Sequence, residues 1–408
     1  VSGVFARLVG QDAVEAELTA AATAARGDTS HSGSPSSVSA GMTHAWLITG
    51  PPGSGRSVAA LCFAAALQCE SESPGCGHCR ACTTTMAGTH ADVRRVVPEG
   101  LSIGVDEMRA IVASASRRPT TGRWQVVVVE DADRLTEGAA NALLKVVEEP
   151  PAQTVFVLCA PSVDPEDIAV TLRSRCRHVA LTTPTVESIA EVLIDGDGLD
   201  PETAHWAASV SGGHVGRARR LATDDQARAR RTRALGLARD AATPSRAYAA
   251  AEELVKAAEE EAKALTTDRD EVETEELRTA LGAGGTGKGA VGALRGSAGA
   301  LKELERRQKS RATRAGRDAL DRALMDLAGH FRDALMVSSG AGSVTANHPD
   351  MEDRAAALAA HAGPDRLLRC IEAVLICRDA LAANVKPKFA VDAMIATVGQ
   401  ALQSDRSR

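Results

Sequence analysis

Apolar positions along this chain change their spacing near residue 180, and the change separates two kinds of structure. In the first part, short unbroken apolar runs alternate with segments in which apolar residues return at helical spacing. Ala45-Trp46-Leu47-Ile48-Thr49 is one run; Val126-Val127-Val128-Val129 and Val155-Phe156-Val157-Leu158 are two more. A β-branched run without polar alternation marks a strand covered on both faces, as in a parallel sheet. Between them, Ser57–Gln68 and Glu137–Glu149 read as helices. The second is stopped by Pro150-Pro151, because proline lacks the N–H and crowds the preceding turn. Residues 4–26 read as a short amphipathic helix with Val14, Leu18, Ala21 and Ala22 on one side. This alternation predicts a doubly wound α/β domain over residues 1–180.

From Pro184 onward strand signals vanish. Residues 184–224 read as short helices and 225–408 as mostly helical. Two segments break the pattern. Asp28–Gly41 is Ser/Gly-rich without periodicity and reads as a flexible surface insertion. Gly282–Gly299 carries glycine at 282, 284, 285, 287, 289, 292, 296 and 299, a density that predicts a loop or disordered insertion.

Composition narrows the function classes. Aromatics make up 2% of the chain, so its cores are built from Ala, Leu and Val, and little is left for a base-stacking platform. A net charge of −6 argues against a chain that binds nucleic acid over its whole surface. No stretch approaches the roughly 20 apolar residues of a membrane span. The segment Val1–Arg7 has no basic stretch followed by an apolar one, so the expectation is a cytoplasmic protein. Its nine cysteines are then thiols or metal ligands rather than disulfides.

Gly50-Pro51-Pro52-Gly53-Ser54-Gly55-Arg56-Ser57 follows the first strand and opens a helix, as a phosphate-binding P-loop does. Glycines let backbone N–H groups curl around phosphate oxygens, Ser57 would ligate Mg²⁺, and Arg56 stands where lysine belongs. A guanidinium keeps the charge but is a longer planar fork, poorly matched to a cradle built around an ammonium. Glu130-Asp131 follows the Val126–Val129 strand where a metal-shell and water-orienting pair should sit. The usual order is Asp then Glu, and its reversal argues against hydrolysis. The plainer reading of these carboxylates is a solvated acidic turn. Whether ATP and Mg²⁺ occupy the cradle is left open by these residues. A second glycine-rich match, Gly282–Lys288, lacks the following Ser/Thr and a preceding strand, and reads as chance.

Cys69-x6-Cys76-x2-Cys79-x2-Cys82 places four thiolates within a short segment, with Gly75 and Gly77 easing tight turns. That spacing suits tetrahedral Zn²⁺, and a closed four-sulfur shell makes the site structural rather than catalytic. A redox Cys-x-x-Cys pair, unliganded thiols and an iron–sulfur cluster are the competing readings. Cys62, Cys159, Cys176, Cys370 and Cys377 lack such spacing and read as small buried hydrophobes.

A P-loop followed closely by a four-cysteine knot, then Asn141-Ala142-Leu143-Leu144-Lys145-Val146-Val147-Glu148-Glu149-Pro150-Pro151 and Leu172-Arg173-Ser174-Arg175-Cys176, resembles the clamp-loader AAA+ family. That family includes the bacterial DNA polymerase III gamma/tau and delta-prime subunits. Phe5–Gln11 is similar to its opening box, which lies near the adenine. The resemblance is strong over residues 4–225 and only helical in character beyond.

It implies an AAA+ domain at 1–180 with a zinc module at 69–82, the lid at 181–225, and a helical collar at 226–408 that joins a ring. It also implies that Arg175, within Ser174-Arg175-Cys176, reaches a neighbouring subunit's ATP in trans. The implied partners are gamma/tau and delta subunits, with the sliding clamp and primer-template DNA reached through the complex.

Hydrolysing members resemble one another in a P-loop Lys, an Asp-Glu pair and two sensors. Here stand Arg56, Glu130-Asp131, Gly216 where the lid's sensor Arg aligns (Arg217 is one place on), and only Ser162 for the first sensor. These departures favour a stator over a motor. The rivals are an active gamma/tau-type ATPase and a zinc-dependent DNA-binding module.

Overall fold

A computed structural model describes residues 3–27, 41–281, 290–341 and 344–403, with the side chains of 244 and 290–298 set aside. The chain forms two compact units, Val1–Ala222 and Thr223–Arg408.

The first unit is built on five parallel strands: β1 (Ala45–Thr49), β2 (Val93–Val96), β3 (Gln125–Val129), β4 (Thr154–Ala160) and β5 (Arg177–Ala180). Their order is β2-β3-β4-β1-β5. The central strands carry the unbroken apolar runs because successive side chains feed two different cores. Trp46, Ile48, Val126, Val128, Val155 and Val157 face one core with α1 (Asp12–Gly27) and α2 (Arg56–Gln68). Leu47, Val127, Val129, Phe156 and Leu158 face the other, with α4 (Val105–Ala115) and α5 (Glu137–Glu148). Between α2 and β2 lies the short α3 (Arg80–Met86), and before β5 the single turn α6 (Val170–Arg173). After β5 come α7 (Val186–Glu191), α8 (Pro201–Ser209) and α9 (Val215–Thr223).

Both edge strands, Val93-Arg94-Arg95-Val96 and Arg177-His178-Val179-Ala180, escaped the sequence pattern. An edge is covered less completely, so arginines replace the apolar run. The predicted helix over 4–26 is corrected. Val4–Arg7 is a 3₁₀ turn, Gly10 takes φ +66°, and the helix starts only at Asp12. The break is fixed by Gln11, whose amide donates to the Thr182 carbonyl at 2.7 Å and accepts from the Thr182 N–H at 3.2 Å.

The second unit is helical: α10 (Asp225–Asp240), α11 (Pro244–Ala280), α12 (Ala290–Ser338), α13 (Glu352–His361), α14 (Pro364–Ala382) and α15 (Pro387–Gln403). Its core is aliphatic. Leu320, Leu324, Leu327 and Phe331 recur at helical spacing on α12 against Leu367, Val374, Val391 and Ile395. The glycine-rich prediction for 282–299 is corrected from residue 290 onward, where the backbone is already helical. Each glycine costs roughly 1 kcal/mol against alanine, and Gly292, Gly296 and Gly299 are separated by Ala and Leu residues that continue the long packed helix. Gly282–Lys288 lies outside the described residues, as does the Asp28–Gly41 insertion except for Gly41. No helix among the described residues is long and apolar enough to cross a membrane.

One buried carboxylate organises the loop before β3. Asp92, 1% exposed, accepts from Thr120 N, Thr121 N and Gly122 N at 2.7, 2.7 and 2.6 Å, and from both threonine hydroxyls and Gln125 Nε2. Burial alone would raise its pKa; the hydrogen bonds from Thr120, Gly122 and Thr121 outweigh it and hold the carboxyl well below the usual range. A depressed pKa stabilises the fold above the unfolded value and loses that contribution as pH falls below about 4. Asp92→Asn, which turns an NH₂ toward these donors, is expected to cost roughly 2 kcal/mol at neutral pH. It should also flatten the acid limb of the stability curve; denaturant titrations of both proteins across pH 2 to 7 check this.

Candidate functional site

The P-loop sits where β1 meets α2. Gly53 and Gly55 adopt φ +87° and +95°, turning the loop back over the helix start. The loop is stabilised largely by its own atoms. Ser54 N donates to the Pro51 carbonyl at 3.1 Å, and Arg56 Nη1 donates to the Gly50 carbonyl at 2.5 Å. The guanidinium therefore bends back onto the loop that an incoming phosphate would need. Ser57 Oγ donates to Glu130 Oε2 at 2.8 Å, and the other oxygen of that carboxylate pairs with Arg95 of β2. Glu130, 8% exposed, is thus held from both sides. Asp131 adopts φ 52° and heads the 3₁₀ turn Ala132–Arg134. Within that turn, burial and the Asp131 charge push the Asp133 carboxyl above its ordinary range.

The turn before α9 adds a feature that sequence reasoning did not anticipate. A Cβ built on Gly53 would lie 2.5 to 2.6 Å from His214 Cβ, Cα and Cγ, so His214 packs directly on the loop and only glycine fits beneath it. His214 Nδ1 in turn accepts the Arg217 N–H at 3.2 Å and caps the helix. Gly216 and Arg217 lie in the first turn of α9. Ser162 spends its hydroxyl on Asp167 Oδ2 at 2.6 Å.

Arg175 lies just after α6, 39% exposed. Its Nη2 pairs with Glu148 Oε1 at 2.6 Å, and its Nη1 donates to the Thr171 carbonyl at 2.9 Å and to Ser174 Oγ at 3.3 Å. Neighbouring Cys176 is half-buried, and burial pushes its thiol up to about 12. Cys62, Cys370 and Cys377 are buried with thiols likewise pushed up to about 12, and burial pushes Cys159 still higher; these are inert packing groups.

The sulfurs of Cys69, Cys76, Cys79 and Cys82 lie within 4.8 Å of one another, and Cys69 and Cys79 are 3.9 Å apart. A tetrahedral zinc with its usual bond length separates its sulfurs by roughly 3.8 Å, so the cluster could hold a metal ion. Backbone N–H groups already point at the sulfurs: Cys76 N at Cys69, Cys79 N at Cys76 and Cys82 N at Cys79, at 3.4 to 3.5 Å. Burial alone would raise the Cys76 thiol; hydrogen bonds from the Ser71 side chain and from the N–H groups of Cys79 and His78 together outweigh it and bring the thiol down to about 6. The module is clasped to the body by Arg26, which donates to the carbonyls of Cys69, Ser71 and Glu72, and by Val4 N, which donates to the Gly75 carbonyl at 2.8 Å. The contacts of Arg26 with the module, Arg95 with Glu130, His214 with Gly53 and Glu148 with Arg175 all join residues far apart in sequence. No local spacing announces such contacts.

A parallel sheet with a glycine-rich loop after β1 and a carboxylate pair after β3, on the far side of β4, defines a P-loop ATPase-like domain. Residues 36–185 match the family described as "DNA polymerase III, delta subunit". Over this range the chain is similar to subunits of DNA polymerase III. DNA polymerase III subunit delta' of Escherichia coli K12 is 37% identical over 199 residues, which cover 48% of this chain and 59% of that one. Subunit delta' of Bacillus subtilis 168 is 31% identical over 186 residues, covering 45% and 55%. Subunit tau of the same organism is 32% identical over 192 residues, covering 46% of this chain and 33% of tau. The chain thus spans a third to three fifths of the length of these relatives. A solved gamma subunit-related protein of Thermotoga maritima covers 87% of this chain and 93% of that one at 16% identity. The two superpose with a TM-score of 0.38.

Proposed function

We propose that this chain is a delta-prime-type stator of a clamp loader: it helps place a sliding clamp on primed DNA without itself hydrolysing ATP. The observation that supports this best is a contrast within one unit. The P-loop is occupied by its own Arg56 and overlaid by His214, with Glu130 held by Ser57 and Arg95, while Arg175 is presented at the surface. A motor needs the first set of groups free for Mg²⁺, phosphate and water. A stator needs only the second. In this reading Arg175, flanked by Ser174 and Cys176, supplies positive charge to the γ-phosphoryl group of a neighbouring subunit's ATP. The planar guanidinium suits that task because it can bond two phosphoryl oxygens at once. Residues 226–408 would form the collar that joins gamma/tau and delta partners, and 181–225 the lid. Cys69, Cys76, Cys79 and Cys82 would hold one structural zinc, which stiffens the segment between α2 and α3 and takes no part in chemistry.

A gamma/tau-type motor is the second reading, favoured by the identity to tau. The two separate on the purified chain. The stator reading expects ATP turnover at background, unchanged by Arg56→Ala. Steady-state turnover of about 1 s⁻¹ or more that Arg56→Ala abolishes would establish the motor instead.

A further inference from the structure

We infer that Glu148 is a positioning residue for Arg175: it fixes the guanidinium at the end of α5 in the orientation that meets a phosphoryl group on a neighbouring subunit. This deepens, and rests on, the reading of Arg175 given above. The helix that carries Glu148 is firmly bounded. Thr136 caps its start by accepting the Ala139 N–H, Leu143 and Val147 bury its inner face, and Pro150-Pro151 ends it. Glu148 is its last residue, so its carboxylate has a defined origin.

Arg175 stands on no comparably long helix, since α6 is a single turn of four residues. A free arginine side chain there would sample many rotamers, and ordering it costs up to about 2 kcal/mol. Three acceptors order it in this structure: the Glu148 carboxylate, the Thr171 carbonyl and Ser174 Oγ. Two of these belong to its own segment and move with it. Among the described residues, Glu148 is the partner that ties it to the sheet-packed body of the unit. The pair is partly exposed at 39% and 46%, so the carboxylate orients the fork without burying it. Engaging Nη2 through one edge leaves the rest of the planar fork to approach an anion, which a bidentate donor can do while keeping its first partner.

Misplacement of a catalytic group by about 1 Å can cost about 10²-fold in rate, so losing one of three tethers should be visible in turnover. The test uses the complete loader, assembled from this chain and its partner subunits, with ATP hydrolysis followed in the presence of clamp and primed DNA. Four forms of this chain are compared: Arg175→Ala, Glu148→Ala, Glu148→Gln and the double alanine variant. Melting midpoints and assembly are checked alongside.

Glu148→Ala is expected to lower kcat by about fivefold with the KM for ATP unchanged, because Arg175 acts on the transition state. Glu148→Gln keeps an acceptor of the same length and should recover to within about twofold of the parent. The double variant should match Arg175→Ala alone, since Glu148 has no other route to the reaction. Glu148→Ala at the parent rate, or a double variant below Arg175→Ala by the full Glu148→Ala factor, overturns the inference while leaving the trans-acting arginine in place. Arg175→Ala at the parent rate overturns that reading itself, and this one with it.

Discussion

Stripping the metal from the four-cysteine module is expected to lower the melting midpoint of the first unit by about 10 °C, or about 3–4 kcal/mol for a unit of this size. Zinc-finger peptides set the ceiling, because there the metal supplies roughly 10–16 kcal/mol and an otherwise unfolded chain depends on it. Here the segment is already clasped by Arg26 and Val4, and Cys69 and Cys82 are buried among the residues of α2. Part of the order should survive without metal. Cys69→Ser and Cys82→Ser should behave like chelator treatment, and metal content should fall from one zinc per chain to none. Cys62→Ser should leave the metal in place, since its thiol is turned to the Val4 carbonyl at 3.1 Å and away from the cluster. Full zinc occupancy in Cys69→Ser, or a midpoint unmoved by chelation, would remove the structural role assigned to the four cysteines.

The parts of the fold that could be read from the chain are those where local pattern and burial coincide. The runs at 45–49, 126–129 and 155–158 became central strands because both their faces are covered, and no other environment tolerates four consecutive valines so readily. The four cysteines were legible for a different reason: close spacing across tight turns brings their sulfurs within 4.8 Å of one another, as a metal shell would require.

What escaped was set by partners distant in the chain. Gln11 interrupts an otherwise helical segment because its amide finds Thr182, 171 positions away. Arg95 lies on an edge strand whose alternation is too weak to signal, and its role comes from Glu130. His214 packs on Gly53, whose missing side chain makes room for it. Arg56 shows the middle case. Its substitution for lysine was plain in the sequence, but only the geometry shows the guanidinium folded back on the Gly50 carbonyl.

The largest effect should come from Arg175→Ala. A trans-acting arginine contributes about 10³- to 10⁵-fold to kcat at the site it completes, and its loss leaves the remaining sites of a ring to sustain what turnover they can. Substrate affinity should change little, because in the proposed role the group acts where charge develops and not where the nucleotide is first bound. Stability should also change little, since the side chain is partly exposed and its ion pair with Glu148 is of the kind worth about 0–1 kcal/mol. Arg175→Lys should not rescue. An ammonium keeps the charge but cannot form the planar two-point contact, and its shorter reach ends nearer α6.

These effects meet in one measurement: clamp- and DNA-stimulated ATP hydrolysis by the complete loader carrying either the parent chain or Arg175→Ala, with assembly verified for both. The stator account predicts about a tenfold or greater fall in kcat at unchanged KM. Equal rates in equally assembled loaders would contradict it.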